Sequence, residues 1–227
     1  MNKAIIIYGL PGSGKGTQAN LLADKLGLIH FDTGKYLERI VHDPANKKNK
    51  IIRRERKNFD TGKLCTPSWI LKITREESVR LSRTGWGVIF SGSPRTMFEA
   101  FGDSRNSGLI GILEKEFGKK NITIFFLRIT PEISIKRNSG RRVCPTCGAI
   151  IISYVHKNPL CPICLSRLKR RTLDNPGVIR VRFKEYMERT APILKKLKKC
   201  GYKIHEINGA MLPAKVFSAV FKYFKTR

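Results

Sequence analysis

An uninterrupted apolar run, Lys3 to Tyr8 (KAIIIY), stops at a glycine-rich turn, Gly9-Leu10-Pro11-Gly12-Ser13-Gly14-Lys15-Gly16-Thr17. No other feature constrains this chain as much. A short apolar run bounded by glycine predicts a strand buried on both faces, as strands of a parallel sheet are. After the turn, Ala19, Leu22, Ala23 and Leu26 recur at helical spacing within Thr17 to Leu26, and Gly27 ends the pattern. Strand and helix thus frame a G-x-x-x-x-G-K sequence, the context in which that motif has a mechanism. Glycines at 9, 12, 14 and 16 let the backbone turn tightly so that successive N–H groups face one anion. The helix beginning near Lys15 adds the positive end of its dipole. Lys15 supplies a full charge for the β and γ phosphates of a nucleotide. It is followed by Gly16, so the hydroxyl that would reach magnesium arrives only at Thr17.

Further apolar runs at Leu28 to Phe31, Val88 to Phe90, Ile122 to Ile129 and Tyr202 to Ile207 are separated by helix-length segments. Five strands alternating with helices predict an α/β fold around a five-stranded parallel sheet. A long helix is expected from Val178 to Lys199, and a last amphipathic one from Pro213 to Lys225. Two basic segments break the alternation. Residues 33–66 contain NKKNKIIRRERK, and residues 140–175 contain four of the six cysteines. They are expected to be inserts in a core made of residues 1–32, 67–139 and 176–227.

The net charge of +28 points to a polyanionic ligand, and 41% hydrophobic residues rule out disorder as the main state. From Lys136 to Arg182 there are eleven Lys and Arg against one acid, Asp174. No apolar stretch has the length of a membrane helix, and the N-terminal apolar run is too short for a signal segment. A cytoplasmic protein without membrane contact is expected.

Cys144-x2-Cys147, thirteen intervening residues and Cys161-x2-Cys164 place four thiolates for tetrahedral zinc. Four thiolates leave no open position, so the metal would be a structural staple for a segment too small to have its own core. Disulfides are the alternative reading, and His156 lies between the pairs as a substitute ligand. Cys65 and Cys200 have no partner spacing.

The string GLPGSGKGTQA resembles the adenylate kinase family of nucleoside monophosphate kinases, in its zinc-lid form. Other segments carry the same resemblance: Asp32-Thr33-Gly34, Gly62-Lys63-Leu64, Gly92-Ser93-Pro94-Arg95-Thr96 and Arg137-Asn138-Ser139-Gly140-Arg141-Arg142. It continues through Arg171, Asp174-Asn175, Arg180, Arg182 and Tyr186 to Ile207-Asn208-Gly209. It implies a P-loop NTPase-type core, a helical monophosphate-binding insert and a zinc-ribbon lid. The implied activity is reversible phosphoryl transfer from MgATP to AMP, by a monomer. Gly12, Ser13, Gly14, Lys15, Gly16, Thr17, Arg137 and Arg141 would hold ATP. Thr33, Lys63, Leu64, Cys65, Gly92, Arg95 and Glu99 would hold the monophosphate. Lys15, Arg95, Arg141, Arg171 and Arg182 would surround the transferring group, Arg171 and Arg182 touching the acceptor as well.

Several positions depart from the family. Its acid at the end of the third strand is Ser91, and the one after T-G is Lys35. Two readings of Asp32 stand, a substitute carboxylate or the cap of a helix starting near Thr33. An expected arginine is Glu38, with Arg39 adjacent but turned by about 100° on a helix. An expected acid beside Asp174 is Leu173, and an expected aromatic is Ile151. A glutamine that reads adenine is Glu99, whose carboxylate only accepts and so suits the N1–H and amino group of guanine. The expectation there is relaxed specificity, with GMP tolerated. From another class, a catalytically weak relative that binds nucleic acid is the rival reading, and it would show steep salt dependence.

Overall fold

The computed structural model describes residues 3–153 and 155–225. In chain order the elements are β1 (Ala4–Gly9), α1 (Lys15–Leu26), β2 (Ile29–Phe31), α2 (Thr33–His42), α3 (Lys50–Asp60), α4 (Pro67–Arg83), β3 (Val88–Phe90), α5 (Met97–Phe101), α6 (Leu109–Phe117) and β4 (Ile122–Arg128). There follow α7 (Pro131–Ser139), β5 (Arg141–Val143), β6 (Ile150–Ile152), α8 (Pro176–Glu185), α9 (Ala191–Lys199), β7 (Ile204–Asn208) and α10 (Pro213–Lys225). Five strands form one parallel sheet in the order β2-β3-β1-β4-β7.

The continuous apolar run of β1 is explained by its place at the centre. Successive side chains point to opposite faces, and both faces are covered. Ala4, Ile6 and Tyr8 join the core beneath α4, α6 and α9, whereas Ile5 and Ile7 join the one beneath α1 and α10. β1 lies between β3 and β4, so the chain crosses to opposite sides after it. The crevice at the C-terminal ends of these strands is where an open α/β sheet receives ligands.

Residues 33–66 fold into α2 and α3, which pack on each other. Asn49 caps α3 by accepting from the N–H groups of Ile51 and Ile52. Glu55 is fully buried and accepts from the Thr66 N–H (2.8 Å) and hydroxyl (2.6 Å), pinning this segment to the start of α4. In residues 140–175, β5 and β6 form an antiparallel pair.

One expected element differs. The helix foreseen from Val178 to Lys199 is α8 and α9 joined by a π turn, Tyr186–Thr190. Pro192 has no N–H to give to the preceding turn, and a π turn absorbs that break without ending the helix. It also sets the buried Thr190 hydroxyl on the Arg95 carbonyl at 2.9 Å. Among the described residues, no helix is long and apolar enough to cross a membrane.

Candidate active site

The glycine-rich turn takes the shape its residues allow. Gly12 and Gly14 have φ of 78° and 94°, where only glycine is at ease, and a Cβ on Gly12 would lie 2.7 Å from the Asn138 amide. Gly16 is different from the expectation: it lies in the first turn of α1 with ordinary helical backbone. From α7, the Ser134 hydroxyl donates to the Pro11 carbonyl at 2.6 Å and holds the loop. Lys15 curls back, its Nζ donating to the carbonyls of Gly9 (2.7 Å) and Leu10 (2.9 Å).

The loop opens into a cavity of about 630 Å³, which all the nucleotide-side residues named from the sequence line. Its lining carries eight cations, Lys15, Lys35, Lys63, Arg95, Arg137, Arg141, Arg171 and Arg182, against two acids, Asp32 and Glu99. The crowding is electrostatically costly without an anion. Burial, then Arg95, Arg182 and Arg141, push the Lys15 ammonium well below its usual value, with Asp32 pulling the other way. Burial, followed by Arg141, Arg95 and Arg171, lowers Arg182 to about 9.

Acids just outside the cavity position three of these arginines. Arg141 donates from Nε to Asp174 at 2.7 Å, and Arg182 lies 3.7 Å from the same buried carboxylate. Arg171 pairs with Glu38 of α2 at 2.8 Å, a contact that joins residues 140–175 to residues 33–66. Arg95 is steadied by its Nε donating to the Gly92 carbonyl at 2.6 Å. Arg137 spends its guanidinium on backbone, donating to the carbonyls of Gly209 (2.7 Å) and Ala210 (2.9 Å), so it braces the wall as it lines it.

At the start of α2, Thr33 is buried and its hydroxyl has no partner among the described residues. A buried hydroxyl without a partner facing a cavity is what a ligand would satisfy. Cys65 is also buried, and burial, with Glu55 next, raises its thiol to about 12, which makes it an inert wall. Leu37, Phe59 and Ile70 complete an apolar surface here, and Ile150, Ile152 and Val155 another within residues 140–175. The sequence reading missed these walls. Leu37 and Phe59 are on helices whose inward faces follow only from packing. Leu173, where an acid was expected, is core and cavity wall at once.

Glu99 lines the cavity but is not free. Thr96 is the N-cap of α5 and accepts from the Glu99 N–H at 3.1 Å. The Glu99 carboxylate accepts from the Thr96 hydroxyl (3.0 Å) and the Arg95 N–H (2.8 Å). This is a close variant of a capping box. Burial raises the carboxyl to about 7, although the Arg95 N–H and Thr96 hydroxyl favour the ion.

Away from the cavity, the sulfurs of Cys144, Cys147, Cys161 and Cys164 all lie within 4.8 Å of one another. Cys144 and Cys164 are 3.3 Å apart, and Cys147 and Cys161 3.6 Å. Tetrahedral zinc with Zn–S bonds of about 2.3 Å needs sulfurs about 3.8 Å apart, so this donor set fits a metal ion. Backbone N–H groups of Cys147 and Ile163 point at the Cys144 and Cys161 sulfurs. His156 is outside the cluster, its Nε2 3.1 Å from the Leu160 carbonyl, and Cys65 and Cys200 are free and separate.

The sequence model of the adenylate kinase family matches residues 7–202. The chain is 32% identical to the adenylate kinase of Kosmotoga olearia over 221 residues, 96% of this chain and 97% of that protein. It is 34% identical to the adenylate kinase of Chlamydia pneumoniae (83% of this chain, 82% of that protein). Against the adenylate kinase of Zymomonas mobilis the identity is 36%, over 84% of this chain and 82% of that protein.

Proposed function

The chain belongs to the adenylate kinase family and is a phosphotransferase of that kind, and from that premise we propose that AMP is its preferred acceptor and MgATP its donor. The observation that carries this reading is the cavity in which Lys15, Arg95, Arg141, Arg171 and Arg182 converge at the end of a phosphate loop. Phosphoryl transfer asks little covalent chemistry of a protein; it needs two nucleotides held in line and the charge on the transferring oxygens neutralised. Loop N–H groups and Lys15 hold the donor's phosphates, while Arg95 grips the phosphate of the acceptor with a planar fork. Arg171 and Arg182 lie between them, and Arg141 closes on the donor side. Magnesium, bound with ATP, would supply further neutralisation of the β and γ phosphates, with the Thr17 hydroxyl, which lines the cavity, as the side chain that would hold it.

Residues 33–66 cover the acceptor and residues 140–175 form a lid over the donor, excluding water that would compete as acceptor. Zinc on the four cysteines would staple that lid and take no part in transfer. Adenine suits the acceptor pocket because burial raises Glu99 to about 7, so that a substantial fraction of it is the protonated acid at neutral pH. An acid of that form both donates and accepts, as an amide does. The enzyme is proposed to act as a cytoplasmic monomer.

The test is ADP formation from ATP and Mg²⁺ with AMP, GMP, CMP and UMP offered separately, with a no-acceptor control. AMP should give the fastest transfer. A preference for GMP would overturn the acceptor assignment and return Glu99 to the role of a guanine reader.

A further inference from the structure

An unpaired carboxylate beside a polyphosphate site is an electrostatic liability unless a cation stands between them. Asp32 is in that position. Of the two acids lining the cavity, Glu99 has both oxygens engaged by Arg95 and Thr96. Asp32 uses only Oδ1, which accepts from the Lys35 N–H at 3.1 Å and caps α2. Its Oδ2 accepts no hydrogen bond and Asp32 makes no ion pair among the described residues, in a chain of net charge +28. That free oxygen faces the first turn of α1, 3.8 Å from where a Cβ on Gly16 would sit, between Lys15 and Thr17. Capping and cation binding are therefore not rival roles, since each takes a different oxygen.

The same cavity holds a neutral acceptor. Asn20 Oδ1 lies 2.6 Å from His30 Nδ1, and His30 Nε2 lies 2.7 Å from the Ser91 hydroxyl. With Asn20 Oδ1 accepting, Nδ1 carries the ring proton and Nε2 accepts from Ser91. The buried Ser91 oxygen then has only lone pairs left for the cavity it lines.

We propose that Asp32 is the carboxylate that orders the waters of the donor's magnesium, with Ser91 as a neutral acceptor fixed by Asn20 and His30. The inference rests on the donor being a metal–ATP complex. Magnesium keeps most of its waters and is held through few carboxylates, so one free oxygen and one hydroxyl lining the same cavity meet its needs. The acid at position 32 then does the work for which Ser91 and Lys35 lack a negative charge.

Equilibrium binding of ATP to the full chain, with EDTA and with Mn²⁺, tests this, and the Mn²⁺ resonance spectrum gives a readout independent of turnover. Asp32→Asn keeps a good cap and removes the charge. It should weaken Mn²⁺–ATP binding on the order of ten-fold while leaving metal-free ATP binding unchanged or stronger. Loss of a purely structural residue would weaken both together. Ser91→Asp added to Asp32→Asn should bring back the preference for the metal complex. If the wild-type chain binds ATP equally with and without Mn²⁺, the metal–ATP donor is wrong. If it prefers the complex and Asp32→Asn keeps the same ratio, the role given to Asp32 is overturned.

Discussion

Replacing Glu99 by Gln probes stability and recognition in one variant. Glu99 is 2% exposed, and burial raises its carboxyl to about 7 from the usual 4.5. A raised acid makes the fold bind its proton more tightly than the unfolded chain does. The resulting stabilisation is complete below pH 4.5 and is lost as pH rises to about 7. Above that the fold holds an ionised group where a neutral one would be preferred. The interval is worth about 3 kcal/mol. In Glu99→Gln the amide oxygen can accept from the Arg95 N–H and the amide nitrogen can donate to the Thr96 oxygen, so the cap of α5 survives without a charge. At pH 8 the variant should be more stable than the wild type by up to about 3 kcal/mol, a rise in Tm of about 6–12 °C for a chain of this size. At pH 4.5 the two should melt together. Thermal unfolding across that range is the assay, and KM for AMP should lose any dependence on pH near 7 in the variant. An unchanged difference in Tm between pH 4.5 and pH 8 would refute the argument, because it would mean that Glu99 titrates alike in both states.

Glu38→Gln should lower KM for AMP by up to about five-fold at low salt. The Arg171–Glu38 pair is part-exposed, which limits it to about 1 kcal/mol, and the acceptor's phosphate must compete for the same guanidinium. The gain should fade in 0.5 M salt, as steady-state kinetics at two ionic strengths would reveal. Cys161→Ser removes a fully buried thiol of the sulfur cluster. It should abolish stoichiometric zinc in purified protein, measured by elemental analysis, and expose residues 140–175 to limited proteolysis. The wild type should resist both until a strong chelator is added.

Signals that act over a few residues were legible in the sequence. The apolar run and glycines of β1 and its loop state their own torsions and burial, and the cysteine spacing states a metal geometry. Even the departure at Gly16 is a matter of one residue at a helix start. The arginine set was readable only through resemblance, since a single arginine in a chain of net charge +28 carries no mark of its role. The π turn was not legible, because its cause, Pro192, is compatible with a helix start as well as a helix distortion.

What the sequence by itself determined is the order of strands and helices, the phosphate loop and the four-sulfur cluster, all of which depend on neighbours along the chain. Only the tertiary structure decided which charge answers which. Arg171 meets Glu38 across 133 residues, Asp174 holds Arg141 from 33 residues away, and Arg137 turns to carbonyls more than 70 residues on. Glu99 is a cap as well as a cavity wall, and Asp32 has one oxygen committed and one free. Such pairings are set by the distance between side chains after the layers have packed, and electrostatic energy depends on that distance and on burial, neither of which is written in the order of residues.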